Sequence, residues 1–205
     1  NNLVHNNSAD SAGAIYVYDA SPAFSNCTIV NNEAVDGNGG GLYFIYCSNN
    51  PVLKNSIIWG NTATGSGDNV FKTAAGMYPI YSYCDIEGSN GSGVNWDSSI
   101  GTDNGNNIDA NPEFIDAYNN DFHITPSSPC IDAGSPDENY TCQVDTDGQQ
   151  RVLRNNADIG VDEIPSIIYT NYSATGNDDG SSWSNAYTDL QDALSREDQE
   201  GEAMV

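Results

Sequence analysis

Short apolar segments alternate with glycine- and asparagine-rich loops along the first half of the chain, and these segments repeat. One set of copies is NNLVHNN at 1–7, NCTIVNN at 26–32, NSIIWGN at 55–61 and YCDIEGS at 83–89. Successive copies begin 25, 29 and 28 residues apart. A repeat of this length predicts a solenoid, because a single turn cannot bury its apolar face alone and must stack on its neighbours.

Two further columns of the repeat keep the same order. SPAFSN, NPVLKN and YPIYSY align without a gap, so one point of each turn is a proline: Pro22, Pro51 and Pro79. Between these columns, GAIYVYD at 13–19 matches GLYFIYC at 41–47. The differences in repeat length therefore fall in the loops, and the strands keep a fixed length.

Residues two apart on a strand share a face, so the columns predict which side chains point inward. One column is β-branched throughout and consists of Val4, Ile29, Ile58 and Ile86. The residues two positions later are asparagine or glycine, which tolerate left-handed turns. We therefore predict parallel strands stacked in register, with this column as the core ladder.

The repeat resembles that of right-handed parallel β-helix surface proteins of bacteria, the polymorphic outer-membrane-protein type. The shared features are a proline, an apolar pair, Asn-Cys-Thr-Ile, Asn-Asn and Gly-Gly-Gly before an aromatic strand. The resemblance covers residues 1–108 and implies an all-β, right-handed, single-stranded parallel β-helix. Such a fold hosts lyases, adhesins and inert stalks, so it does not by itself name a function.

Residues 109–163 form a separate module with its own motifs. These are NPEFID at 111–116, SPCIDAG at 128–134, DTDG at 145–148 and ADIGVDE at 157–163. They resemble the closing segment found near the sorting-anchor domains of bacterial β-helix surface proteins. The resemblance implies a loop-rich cap on the solenoid, where open strand edges would otherwise be exposed.

Residues 164–205 change character again and predict a strand, a glycine turn, a short helix and a mobile tail. This segment resembles the N-terminal cover of a further solenoid. One interpretation is that residue 164 begins the next solenoid of a longer tandem protein. The other is that the segment covers the first turn of a neighbouring molecule, in which case the chains associate head to tail into a fibre or longer array. The residues expected to mediate this assembly are Ile167, Ile168, Tyr169, Trp183, Tyr187, Leu190 and Leu194.

The charge balance narrows the range of partners. The chain has 29 acidic and five basic residues, for a net charge of −24. A protein that binds nucleic acids or anionic membranes needs basic patches on its surface, so we expect neither as a partner. No apolar run reaches the ~18 residues of a membrane span, so direct insertion is not expected. A composition rich in asparagine, glycine, serine and tyrosine, with almost no lysine, is typical of an extracellular or cell-surface β-rich protein.

Four of the five cysteines fall into two groups, and the fifth, Cys47, lies at the end of a predicted strand. Cys27 and Cys84 lie in the inward column that Ser56 shares, which favours small core residues. Cys130 and Cys142 are close in sequence and lie in a loop-rich segment, so we predict a disulfide between them.

The motif DTDG is the best candidate for a metal site. Asp145 and Asp147 alternate before Gly148, like the first half of a calcium loop in which glycine allows a sharp bend. A calcium ion bound by these two carboxylates is one interpretation. The other is a structural turn in which Arg151 pairs with one of the aspartates.

Catalysis is the alternative to a structural or adhesive role. A β-helix polysaccharide lyase needs an arginine or lysine base near clustered carboxylates, and the turns carry only Lys54 and Lys72. A glycoside hydrolase needs a carboxylate pair, which so acidic a chain cannot single out. We therefore expect a module without enzymatic activity.

Aromatic residues supply the candidate contacts for a polysaccharide. They are Tyr16, Tyr18, Tyr43, Tyr46 and, in the long loop at 89–108, Trp96. For Trp96, covering an edge of the core is the other interpretation.

Overall fold

A computed structural model describes residues 1–74, 76–165, 168–178 and 183–193. The described strands, in chain order, are β1 Asn2–His5, β2 Ser8–Ala9, β3 Ile15–Tyr18, β4 Ala23–Ser25, β5 Cys27–Val30, β6 Glu33–Ala34, β7 Leu42–Ile45, β8 Val52–Lys54, β9 Ile57–Trp59, β10 Thr62–Ala63, β11 Val70–Lys72, β12 Ile80–Ser82, β13 Asp85–Ile86, β14 Thr102–Asp103, β15 Phe114–Asp116 and β16 Asp121–Ile124. A 3-10 helix, Ala117–Asn119, joins β15 to β16, and a helical turn lies at 190–193.

The first fourteen strands form four parallel sheets, which are the faces of a β-solenoid of about three turns. Face A contains β1, β5, β9 and β13; face B contains β2, β6 and β10; face C contains β3, β7 and β11; face D contains β4, β8, β12 and β14. The strands β15 and β16 pair antiparallel in a separate hairpin. The predicted all-β parallel solenoid is confirmed.

The register follows the columns of the repeat. Val4 pairs with Ile29, Ile29 with Ile58 and Ile58 with Ile86 across face A. The last three side chains are completely buried, and Val4 is partly buried at the first turn. This column lies in the inner core together with residues such as Phe44, so the predicted ladder is confirmed.

Left-handed residues end the strands of face A. Asn6, Asn31, Gly60 and Gly88 have φ values of 53°, 54°, 64° and 81°, as their residue types predicted. This conformation costs glycine nothing and asparagine little, which explains the choice of residues at the corner between faces A and B.

The next residue at the two middle corners, Asn32 and Asn61, belongs to a buried asparagine ladder that the repeat did not reveal. Asn61 Oδ1 accepts hydrogen bonds from both the backbone N–H and the side-chain amide of Asn32, at 2.9 and 2.8 Å. The amide of Asn61 donates to Ile29 O at 2.9 Å and to Asn69 Oδ1 at 2.9 Å. The ladder thus satisfies the polar groups where the chain turns inside the protein.

The closing module, residues 109–163, packs along the outer side of face A. Val30 and Ile57 point out of the solenoid and are buried in a second core with Phe122, Ile124 and Ile159. Parallel strands that are buried on both sides carry apolar residues at consecutive positions, as CTIV and IIW do. The module is therefore a lateral cover of face A, where we had expected an end cap.

This cover contacts successive turns. Asn1 Nδ2 donates to Val144 O at the first turn. The amide of Gly160 donates to Asn55 O, just before β9, at 2.9 Å. At the last turn the thiol of Cys130 contacts Asp85 in β13.

The end of the inner core is covered instead by the loop at 89–108. Trp96 and Ile100 pack against the inner core. The Trp96 ring lies 5.8 Å from that of the fully buried Tyr81, and its Nε1–H donates to Gly101 O at 3.0 Å. The interpretation of Trp96 as a cover for the core edge is therefore confirmed.

Candidate functional site

The outer surface of face C carries a continuous aromatic strip. Along β3 and β7 every second side chain points inward, as Val17 and Phe44 do, so the alternate tyrosines point to solvent. Tyr16, Tyr43 and Phe71 occupy one register position of successive turns. Their rings lie 5.4 and 4.9 Å apart and meet edge to face.

A second row of rings widens this strip. Tyr18 stacks beside Tyr16 at 6.5 Å, and Tyr46 meets Tyr18 edge to face at 6.0 Å. Tyr16, Tyr18 and Tyr46 are 54, 59 and 56% exposed. The structure thus brings together the four predicted tyrosines, adds Phe71 to them, and places Trp96 elsewhere, over the core end.

Stacking between turns explains only part of this arrangement. Cross-strand aromatic pairs stabilise a sheet by roughly 0.2–1 kcal/mol each, and this accounts for the contacts between rings. It does not account for large rings that keep more than half of their surface in water. Contiguous exposed aromatic area of this kind is typical of a binding surface.

The DTDG motif forms a turn in which Asp145 is a structural residue. Its Oδ1 accepts from the amides of Asp147 and Gln149 at 2.9 and 2.8 Å, and its Oδ2 accepts from the amide of Glu163 at 3.2 Å. Asp145 is buried, whereas Asp147 is exposed. These bonds hold the Asp145 carboxylate against backbone amides. The side chain of Asp147 contacts a different set of residues.

That set is centred on His123, in β16. The His123 ring contacts Asp121 Oδ1 through Nδ1 at 2.5 Å and Asp147 Oδ1 and Oδ2 through Nε2 at 3.3 and 3.2 Å. Potential ligand atoms of His123, Asp147 and Asp162 all lie within 4.8 Å of one another. Partial burial lowers the pKa of His123, but Asp121, Asp162 and Asp147 outweigh it, so the net pKa lies above the ordinary value.

The predicted pairing of Arg151 with Asp145 or Asp147 is wrong, since Arg151 pairs with neither aspartate. Its Nη2 lies 3.0 Å from Glu163 Oε1, and both side chains are buried. The same Nη2 donates to Asp158 O at 2.9 Å. Burial raises the pKa of Glu163, and Asp158 and Asp145 raise it further, while Arg151 opposes them. This pair holds the module together beneath the DTDG turn.

The predicted disulfide between Cys130 and Cys142 is wrong. All five cysteines are free. Cys130 is fully buried in the second core, where its thiol donates to Asp85 Oδ2 at 3.3 Å, while Cys142 is exposed. Proximity in sequence does not bring the two sulfur atoms together here, because one lies beneath the module and the other on its surface. Cys27 and Cys84 are buried in the inner core, as predicted.

The two lysines that a lyase would need have other contacts. Lys54 forms an ion pair with Glu138 of the closing module, and the Lys72 ammonium lies 3.6 Å from the centre of the Tyr78 ring. A polar cavity of about 530 Å³ near the last turn is lined in part by Asn69, Glu87 and Asp97. Glu87 Oε2 accepts there from the Gly60 amide at 2.7 Å and from Asn69 Nδ2 at 3.0 Å, which fixes this carboxylate to the turn.

The segment after the closing module makes contacts within itself. Tyr169 O accepts from the amide of Tyr187 at 2.8 Å, and the rings of Tyr169 and Trp183 lie 5.1 Å apart. Trp183 and Leu190 are 66 and 46% exposed. Of the other predicted assembly residues, Ile168 is partly buried, whereas Ile167 and Leu194 lie outside the described residues. Head-to-tail association stays a prediction.

Comparisons with models of known protein families, with curated proteins and with solved structures found no match to this chain. Within the described ranges, no helix combines the length and apolar character that a membrane crossing requires.

Proposed function

We propose that this chain is an extracellular, non-catalytic β-solenoid module that binds a neutral polysaccharide through the aromatic strip of face C. The observation that carries the proposal is the ordered row of exposed Tyr16, Tyr18 and Tyr46 with the half-buried Tyr43 on successive turns. The module would serve a bacterial cell surface as an adhesive or structural element.

The strip suits an extended, repeating ligand. Parallel strands lie ~4.8 Å apart, so face C repeats its aromatic side chains along the solenoid axis. Tyrosine offers an apolar ring face for the C–H groups of a sugar and a hydroxyl group for its hydroxyls. The strands hold these rings before any ligand arrives, which lowers the entropic cost of binding.

Charge decides the class of polysaccharide. The net charge of −24 repels uronate polymers and other polyanions at low ionic strength. Lys72 lies at the end of β11, beside the strip, and its ammonium is engaged with Tyr78. A neutral glycan is therefore the better match for face C.

Head-to-tail association belongs to the same proposal, since an array of modules would multiply weak sugar contacts. Removal of residues 164–205 tests it by light scattering. Self-association of the intact chain that the truncated chain has lost supports it, whereas identical behaviour of the two contradicts it.

The glycan proposal is tested with an array that carries neutral and uronate-containing polysaccharides. We expect the wild-type chain to retain neutral glycans, and Tyr16→Ala with Tyr18→Ala to lose at least tenfold in affinity. Tyr118→Ala is the matched control, because Tyr118 is 94% exposed and lies in the 3-10 helix, away from face C. Absence of glycan binding, or equal binding by both variants, would contradict the proposal. Cleavage of a polysaccharide would instead establish the enzymatic alternative.

A further inference from the structure

We propose that His123, Asp147 and Asp162 form a binding site for a divalent transition-metal ion, with Zn²⁺ as the probe. The three residues come from separate segments of the closing module: β16, the DTDG turn, and the segment that follows Ile159. A metal ion bound here would cross-link these segments outside face A. The site is remote from the aromatic strip, and the inference does not depend on glycan binding.

The distance between His123 and Asp147 fits shared coordination. Ligand atoms about 2.0–2.1 Å from a tetrahedral zinc ion lie about 3.3 Å from one another. His123 Nε2 lies 3.3 and 3.2 Å from the two carboxylate oxygens of Asp147, which is longer than most charge-assisted hydrogen bonds. A carboxylate oxygen of Asp162 completes a group whose atoms all lie within 4.8 Å of one another, so a small shift of side chains would bring the three ligands to a common ion.

A residue outside this trio orients the imidazole. Asp121 Oδ1 lies 2.5 Å from His123 Nδ1 and engages that nitrogen. Its partner nitrogen, Nε2, is thereby directed toward Asp147. A carboxylate behind a ligating histidine is the usual outer-shell arrangement of metal sites, where it fixes the ring and raises its basicity.

The charges around the site are unbalanced without a cation. Three carboxylates, those of Asp121, Asp147 and Asp162, surround one imidazole, and Asp145 adds a further negative charge near Asp162. Asp162 is only 6% exposed, and its Oδ2 accepts one hydrogen bond, from the Ile124 amide at 2.9 Å. Buried carboxylates are generally paired with a cation or coordinate a metal.

The donor set selects the kind of metal. Calcium and magnesium prefer oxygen ligands alone, whereas one imidazole nitrogen with carboxylates suits zinc and its first-row neighbours. Three protein ligands leave a fourth position for water or another group. The site proposed here therefore consists of His123, Asp147 and Asp162, and it shares only Asp147 with the pair suggested by the sequence.

The test uses the full chain, without a histidine tag and freed of metal by chelation. We expect calorimetry to show one Zn²⁺ per chain with micromolar or tighter affinity, a higher melting temperature with Zn²⁺, and visible absorption bands when Co²⁺ is added. His123→Ala and Asp147→Asn should each weaken Zn²⁺ binding at least 100-fold. Asp121→Asn, which changes only the outer shell, should weaken it 10–100-fold.

The controls separate this site from general binding to an acidic surface. His5→Gln removes the only other histidine of the chain, and Asp10→Asn removes one exposed carboxylate. Both should bind Zn²⁺ as the wild type does. Asp147 is exposed, so its replacement leaves the fold intact, which circular dichroism verifies for each variant. Equal Zn²⁺ binding by the wild type and His123→Ala, or binding of Ca²⁺ alone that His123→Ala retains, would overturn the proposal.

Discussion

The thiol of Cys130 donates a hydrogen bond to the buried carboxyl group of Asp85 at 3.3 Å, across the junction between the closing module and face A. Burial raises the pKa of Asp85 from 3.8 to about 7; the Ala110 amide and Cys130 oppose this rise, and the negative charges of Asp109 and Glu87 add to it. Between pH 3.8 and about pH 7, Asp85 therefore keeps a proton in the folded chain that it has lost in the unfolded chain.

Asp85 should therefore make stability fall as pH rises from about 4 to about 7. Asp85→Asn removes the titration and keeps an acceptor for the Ala110 amide, so this variant should be more stable above pH 7 by on the order of 2–4 kcal/mol. Urea unfolding across pH 4–8 measures the slope. Asp10→Asn, a change in an exposed residue, should keep the wild-type slope. An equal slope in wild type and Asp85→Asn would contradict the assignment.

Replacement of Ile58 by aspartate tests the core ladder. Ile58 is completely buried between Ile29 and Ile86, and an unpaired buried charge costs more than about 4 kcal/mol of stability. Ile58→Asp should abolish the β-sheet signal in circular dichroism and the cooperative melt. Val94→Asp is the control, because Val94 is fully exposed in the loop at 89–108. A wild-type melt for Ile58→Asp would refute the register.

The asparagine ladder gives a third prediction. Asn61→Ala removes the acceptor of the buried Asn32 backbone N–H, and a buried donor left without its partner costs about 1–3 kcal/mol. The variant also loses the side-chain hydrogen bonds from Asn32 to Asn61 and from Asn61 to Ile29 O. The free energy of unfolding should fall by roughly 2–4 kcal/mol. Asn49→Ala, in an exposed loop, should change it by less than about 0.5 kcal/mol. Equal losses in the two variants would show that the ladder contributes nothing.

Gly160 provides a test of the contact between the closing module and face A. A Cβ atom at Gly160, where φ is 108°, would lie 2.7 Å from Ile57 Cδ1 and 2.9 Å from Thr28 Oγ1. Gly105 has a similar φ of 95°, and a Cβ there would meet nothing within 4 Å. Gly105→Ala should cost about 1–2 kcal/mol of backbone strain, and Gly160→Ala about 1–3 kcal/mol more. Chemical denaturation compares the two, and equal losses would rule out the close packing.

The solenoid could be predicted because its information is local and repeated. Each turn carries the same β-branched position, so the alignment that places Ile29 over Ile58 also fixes the register. The sequence indicates the lateral position of the closing module only weakly. The strands CTIV and IIW are apolar at consecutive positions, a pattern that indicates burial on both sides.

The candidate sites were harder to predict for physical reasons. The tyrosines of face C follow from strand alternation, and the sequence places them together. The group around His123 draws its members from three segments whose proximity depends on tertiary packing, so no local motif predicts it. The predicted disulfide is wrong for the same reason, since closeness in sequence alone does not bring Cys142 to the buried Cys130.

The closing module changes how the solenoid should come apart. A bare stack of repeats contacts only nearest neighbours and can lose turns one at a time from its ends. Here Arg151 reaches Asn26 across 125 positions of sequence, and the amide of Val161 reaches Thr28 across 133. These links hold an early turn, and the hydrogen bond from Cys130 to Asp85 holds the last one. Because one element contacts both, the turns and the module should unfold in a single cooperative transition. Because the module follows the turns in the chain and is synthesised after them, we expect it to dock last during folding.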